Sequence, residues 1–176
     1  MKFIQSHIQG IWIIDTEPVK DERGFFMRSF CKKELLEHGL NMEIVQINTS
    51  YNKQRGTIRG LHYQTYPFEE QKKVSCLRGS IFDVAVDLRK ESPTYLKWHA
   101  EILSDKSHRM LYIPKGCAHG FQTLEDGCVV QYEVGEYYNP QFESAIRWND
   151  PTVDINWPLP VTRISEKDKK HIDIIP

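Results

Sequence analysis

From Lys72 to Val134 the chain runs through six short segments rich in β-branched and aromatic residues, each cut off by turn chemistry. They are Lys72–Arg78, Ile81–Arg89, Thr94–Leu103, His108–Pro114, Ala118–Leu124 and Cys128–Val134. Between them stand Gly79, Ser92-Pro93, Ser104-Asp105-Lys106, Lys115-Gly116 and Glu125-Asp126-Gly127. Turns this close leave no room for the crossover helices of a parallel sheet, so the pattern implies an antiparallel sandwich or barrel. Lys72–Arg78 and Ile81–Arg89, joined at Gly79, are expected to pair as a hairpin. The N-terminal part adds expected strands at Ile8–Ile14, Phe25–Phe30, Ile44–Ser50 and Gly56–Gln64, with a turn at Lys20–Gly24. A short helix begins near Cys31 and stops at Gly39. After Tyr137, five prolines and few strand signals mark a wrapping extension, with a helical turn at Ser165–Lys170.

The length of 176 residues suits one domain over 1–176. A formal net charge of −1 offers no basic field for nucleic acid, so any phosphate binding must be local. No apolar run approaches a membrane span, and Met1–His7 has no signal-peptide core. Cys31, Cys76, Cys117 and Cys128 form no CxxC pair and no zinc spacing; free thiols in a reducing cytoplasm are expected.

The segment Gly56-Thr-Ile-Arg-Gly-Leu-His-Tyr-Gln64 places charged chemistry inside a strand. Arg59 offers a fork of donors suited to phosphate or carboxylate. His62 carries an imidazole, a side chain suited to take or give a proton, and is a candidate general base. Strict alternation would point the two side chains to opposite faces. Gly60 between them is the expected bulge or close-approach point. In Ile81–Arg89 the row Phe82, Val84, Val86, Leu88 alternates with Ile81, Asp83, Ala85, Asp87, Arg89. Either the apolar row faces the core and the carboxylates face solvent, or Asp83 and Ala85 line an interior pocket while the apolar row is covered from outside.

Further polar candidates inside strands are Lys72, His119 and Tyr132. His119 also reads as a turn-stabilising residue, Tyr132 as packing, and one of the neighbours Lys72 and Lys73 as a solvated charge. Small β-barrels that bind a metal commonly use a His-x-His pair; none exists here, and no metal site is expected. A Gly-rich phosphate loop, G-x-S-x-G and a Cys–His signature are also missing, so acid–base chemistry without a cofactor is the expectation. Ser165-x-x-Asp168 reads either as a helix cap or as a source of a carboxylate orienting a catalytic imidazole.

These motifs, taken in order, resemble the dTDP-4-dehydrorhamnose 3,5-epimerase family over nearly the whole chain. The resemblance rests on Asp21-x-Arg23-Gly24-x-Phe26, Gln46-x-Asn48-x-Ser50, Arg59-Gly-Leu-His-Tyr-Gln64, Lys72 and Gly79-x-Ile-Phe-Asp83-Val84. It continues through Pro114-x-Gly116-x-x-His119-Gly-Phe121, Tyr132, Tyr138-Asn-Pro140, Glu143 and Ile164-Ser-Glu-Lys-Asp168. The resemblance implies a metal-free, cupin-type jelly-roll barrel of antiparallel strands with a few short helices. It implies His62 as base, Asp168 as its orienting partner, Tyr132 as acid and Lys72 as enolate stabiliser. Asp83 and His119 would form a second polar pair near the sugar. Arg23 and Arg59 would hold the diphosphate, with Phe26, Gln46, Asn48, Tyr138 and Glu143 at the nucleotide or a neighbouring chain. The partner implied is a nucleotide-diphosphate 4-keto-6-deoxyhexose, acted on by a homodimer with exchanged N-terminal strands. Two rival readings keep the barrel: a sugar ketoisomerase, and a ligand-binding or metal-dependent cupin. Arg28 stands where family members often carry an acid, and the Asn48–Gly56 loop is longer by one residue. These departures leave open the nucleotide base and whether one or both carbons are inverted.

Overall fold

The computed structural model describes residues 1–174. The strands are β1 (Lys2–Gln5), β2 (Trp12–Asp15), β3 (Val19–Asp21), β4 (Gly24–Phe26), β5 (Gln46–Asn52), β6 (Ile58–Gln64), β7 (Lys72–Arg78), β8 (Ser80–Asp87), β9 (Trp98–Ser104), β10 (Arg109–Ile113), β11 (Cys117–Thr123), β12 (Cys128–Val134) and β13 (Glu143–Ala145). Two short helices, α1 (Lys32–Glu37) and α2 (Glu166–Lys169), complete the set. One sheet has six strands in the order β1-β2-β10-β7-β12-β5, the other five in the order β13-β6-β11-β8-β9, and β3–β4 is a separate hairpin. The named ladders are antiparallel. The result is a jelly-roll sandwich of two facing sheets rather than a closed barrel. No described helix is long and apolar enough to cross a membrane. All four cysteines are free thiols.

The expected hairpin at Gly79 does not form. β7 pairs with β10 and β12, while β8 pairs with β11 and β9 in the other sheet. The chain changes sheets at Gly79, where φ is +79° and a Cβ would lie 2.8 Å from the Cys128 Sγ. Turn length alone does not distinguish a hairpin from a sheet-to-sheet corner. The first expected strand also shrinks to β2, because Ile8 and Ile11 enter the core from the turn that precedes it.

Both sheets are covered on both faces. Ile13, Val74, Ile81, Ala85, Leu111, Phe121 and Val130 pack between them. Leu35, Leu40 and Met42 around α1 cover Ile14, Met110 and Tyr112 on the outside of the larger sheet. The C-terminal extension lays Ile146, Val153 and Ile155 against Leu61, Val84, Val86 and Ala118 on the outside of the smaller one. Each such buried aliphatic side chain contributes about 1.5–3 kcal/mol. This decides the reading of β8. Val84 and Val86 face the extension, while Asp83 and Asp87 are fully buried on the row that holds Ile81 and Ala85. The expectation that one of Lys72 and Lys73 is solvated also fails. Lys73 is buried and its Nζ lies 2.9 Å from Glu133 Oε1, because α1 and its flanks cover that face.

β6 carries the bulge. His119 lies opposite His62 and Phe121 opposite Arg59, so Gly60 and Leu61 together face the single residue Gly120. The extra residue shifts the alternation by one, and Arg59 and His62 reach the same face. The backbones touch here: a Cβ on Gly60, whose φ is +124°, would stand 2.5 Å from Gly120 Cα. Gly60→Ala adds a positive-φ cost of about 1–2 kcal/mol to an overpacking cost of about 1–3 kcal/mol. Urea denaturation is expected to show a loss of about 2–5 kcal/mol; a loss near the roughly 0.5 kcal/mol of a surface substitution would refute this account.

At the end of β8, Asp87 accepts bonds from Arg89 Nε (2.7 Å), Ser92 Oγ (2.6 Å) and Thr94 Oγ1 (2.7 Å). Burial pushes its carboxyl up, but these donors outweigh burial and hold it at about 2. The folded value lies below the ordinary value near about 4, so the stabilisation is complete above that pH and is lost as pH falls towards the folded value. The stability gap between wild type and Asp87→Asn is therefore expected to close on acidification from pH about 4 to about 2. A gap that stays constant over that range would contradict the assignment.

Candidate active site

Between the sheets opens a cleft of about 590 Å³ lined by Asn48, Ser50, Arg59, His62, Lys72, His119, Phe121, Tyr132, Arg163, Lys167 and Asp168, among others. A second lobe of about 350 Å³ shares Asn48, His62, Lys72 and Tyr132 with it and adds Gln46, Glu70, Tyr138 and Glu143. His62 projects from β6 in the smaller sheet, and Lys72 and Tyr132 from β7 and β12 in the larger one. A ligand between the sheets therefore meets His62 on one side and Tyr132 on the other.

His62 Nε2 lies 2.8 Å from Asp168 Oδ1. The carboxylate arrives on the C-terminal extension, which is pinned beside β6 by the Ile58 N–H to Arg163 carbonyl bond of 2.8 Å. α2 is capped by Ser165, whose Oγ accepts the Asp168 N–H at 3.0 Å. The two readings of Ser165-x-x-Asp168 are compatible: the backbone makes the cap and the carboxylate remains free to meet His62. Its second oxygen accepts the Gly60 N–H at 3.4 Å. Burial raises the Asp168 carboxyl, but the bonds from His62, Gly60 and Ser165 outweigh it and hold it below the usual carboxylate range. An ionised carboxylate only accepts, so His62 Nε2 carries the proton and Nδ1 keeps the lone pair.

A second pair lies deeper. His119 Nε2 is 2.8 Å from Asp83 Oδ1, and both residues are buried. Burial pushes the Asp83 carboxyl up against the opposing pull of His119 and Lys72. His119 sits in mid-strand on β11, not at a turn, and its ring meets Tyr132 edge-on at 5.8 Å. The Tyr132 hydroxyl lies 3.2 Å from Ser50 Oγ, and burial raises its pKa, so at neutral pH it holds its proton. Lys72 Nζ lies 2.8 Å from Glu70 Oε1 and 3.4 Å from the His62 carbonyl. Arg59 Nε donates to Asn52 Oδ1 at 2.7 Å, which aims the guanidinium along the cleft wall. In the second lobe, Tyr138 donates its hydroxyl to Glu143 (2.9 Å) and its N–H to Gln46 Oε1 (2.7 Å).

Of the residues singled out in the sequence, Arg23 and Phe26 stay away from the cleft. They sit on the β3–β4 hairpin, Arg23 paired with Asp21 and Phe26 78% exposed. Arg28, the departure from the family pattern, is paired with Glu34 at 2.7 Å. Sequence reading gave no site role to Ser50 and Lys167, which lie inside the quoted motifs, and missed Asn52, Glu70 and Arg163. The polar row Gln46, Asn48, Ser50, Asn52 on β5 is a period-2 signal that would have found Ser50 and Asn52. Arg163 and Lys167 carried no such signal, since only the path of the extension brings them in.

A jelly-roll sandwich with paired acid–base side chains facing each other across its interior is the architecture of a cupin-type enzyme. The particular family follows from comparison: the family model for dTDP-4-dehydrorhamnose 3,5-epimerase matches residues 5–174, and the chain belongs to that family. A dTDP-4-dehydrorhamnose 3,5-epimerase of Methanothermobacter thermautotrophicus is 46% identical over 171 residues, 96% of this chain and 91% of its own. The crystal structure of the Bacillus anthracis enzyme with TDP and PPi bound superposes with a TM-score of 0.96 at 41% identity, covering 98% of this chain and 99% of that one. The Legionella pneumophila enzyme in complex with dTDP-4-keto-L-rhamnose gives 0.89 at 42% identity, covering 95% and 89%.

The His62 tautomer is directly measurable. Long-range proton–nitrogen NMR at neutral pH is expected to show the proton on Nε2, and Asp168→Asn to remove that bias. A wild-type ring protonated on Nδ1 would refute the pairing.

Proposed function

We propose that the protein is a cofactor-independent epimerase that inverts C3, C5 or both in a nucleotide-diphosphate 4-keto-6-deoxyhexose, with dTDP-4-dehydro-6-deoxy-D-glucose the expected substrate. The observation that carries this reading is the placement of His62 and Tyr132 on opposite sheets. Epimerisation needs a proton removed from one face of the sugar ring and returned to the other. The C4 ketone acidifies the protons on C3 and C5. His62 Nδ1 takes one of them, and the imidazolium that forms is supported by ionised Asp168. The charge that develops on the ketone oxygen is stabilised by the Lys72 ammonium, with His119 close by. Tyr132, kept protonated by burial, returns a proton to the opposite face. Arg59, with Arg163 and Lys167 nearby on the cleft wall, suits the diphosphate.

The hairpin supports a homodimer with exchanged N-terminal elements. Val19, Phe25, Phe26 and Arg23 are exposed on it, and Arg23 is paired with its hairpin neighbour Asp21, away from the cleft of its own chain. In a partner's cleft Arg23 would join Arg59 at the diphosphate and Phe26 would lie against the nucleotide. Mixing refolded His62→Asn and Arg23→Ala chains is then expected to restore turnover, because one site in each mixed dimer regains both side chains. No recovery on mixing would argue against exchange.

The reaction itself is tested by proton exchange in D₂O followed by NMR. Wild type is expected to wash deuterium into C3 or C5 while the ketone stays at C4. His62→Asn should slow exchange at both carbons by roughly 10²- to 10⁴-fold, the usual worth of a general base. Tyr132→Phe should exchange while inverting poorly. Movement of the ketone would favour a ketoisomerase, and near-wild-type turnover in His62→Asn would sink the assignment of the base.

A further inference from the structure

Behind Asp168 stands an imidazole that the reaction does not use. His171 follows α2 and lies outside the main cleft, with its Nε2 3.6 Å from Asp168 Oδ1. That nitrogen is withdrawn from solvent and has no hydrogen-bond partner among the described residues. One ligand atom from each of His62, Asp168 and His171 lies within 4.8 Å of the other two. We propose that these three side chains form an inhibitory site for a divalent transition metal, with Zn²⁺ the ion that fits best. As far as inhibition is concerned, the inference rests on the reading of His62 as the base.

The ligand set is right for such an ion. Two imidazoles and a carboxylate suit zinc, cobalt and nickel, not magnesium or calcium. Bonds of roughly 2.0–2.2 Å place neighbouring tetrahedral ligands roughly 3.3–3.6 Å apart. The Asp168–His171 edge already has that length, and the His62–Asp168 edge of 2.8 Å opens once no proton is shared across it. A groove of about 300 Å³ lined by Glu143, Lys167, Lys170 and His171 leads to the back of the site. The Lys167 ammonium beside it is neutralised by Glu143 at 2.6 Å. The fourth coordination position remains for water.

The metal blocks catalysis through the tautomer. Zn²⁺ takes the lone pair of His62 Nε2, and the ring's single proton moves to Nδ1. No proton leaves the ring, and the atom that faces the sugar no longer has a lone pair to accept one. Removing the ion returns the proton to Nε2 and restores the base.

Equilibrium dialysis of untagged protein against Zn²⁺ tests the site without reference to activity. A His99→Gln background removes a competing histidine pair, His7 and His99, whose Nδ1 atoms lie 3.4 Å apart. One Zn²⁺ per chain is expected. His171→Gln and His62→Asn should each weaken binding by at least the roughly 10- to 100-fold that loss of an outer-shell partner costs. Circular dichroism confirms that the variants fold. In turnover assays Zn²⁺ should silence the enzyme, a chelator should restore it, and His171→Gln should shift inhibition to higher Zn²⁺ by the same factor as binding. Unchanged zinc affinity in folded His171→Gln, or less than one ion per wild-type chain, overturns the proposal. Stoichiometric zinc lost with His171 in a protein without epimerase activity would uphold the site and refute the function instead.

Discussion

The close approach of Gly60 and Gly120 is the constraint on which the cleft depends. Two backbones meet where any Cβ would collide, and that contact lets β6 carry one residue more than β11. Without the extra residue, Arg59 and His62 would face opposite ways and the two side chains could not share one cleft. The same bulge turns the Gly60 N–H towards Asp168. One local defect in a ladder thus sets the direction of His62 and contributes to holding the carboxylate bonded to it.

The two His–Asp pairs show how environment divides like chemistry. Asp168 sits at the cleft rim on an added strap, where three donors keep its carboxyl below the ordinary range. Asp83 sits in the sealed interior, where burial pushes its carboxyl the other way and one oxygen has no partner among the described residues. A rim carboxylate that stays ionised suits support of an imidazolium. In the proposed reaction, the buried pair beside Lys72 and Tyr132 shapes the field around the ketone oxygen.

Polar side chains survive inside this sandwich because the apolar burial has been moved outwards. The helix α1 region and the C-terminal extension cover the outer faces, so the hydrophobic rows of β8 and β11 pack there as well as between the sheets. That arrangement frees part of the inner face for Asp83, His119, Lys72 and Tyr132. It also explains why the extension can deliver Asp168: the strap is glued down by Ile146, Val153 and Ile155 before α2 begins.

The spacing of turns and the β-rich segments between them determined an antiparallel all-β fold, because segments so short and so close permit no crossover helices. Gly60 between Arg59 and His62 marked the bulge, since only glycine admits a second backbone there. Ser165 and Asp168 marked α2. Sequence could not say that Gly79 turns a corner between sheets, because a tight turn of the same composition also closes a hairpin. Nor could it choose the inner row of β8, because alternation shows two faces and not what covers them. The resemblance implied Asp168 as the partner of His62, but the contact itself, the entry of Arg163 and Lys167, and the approach of His171 to His62 were decided by tertiary structure. The His62–Asp168 contact joins residues 106 positions apart, and its length is set by how the extension packs, not by any local preference of the chain; His171, three residues from Asp168, arrives with it.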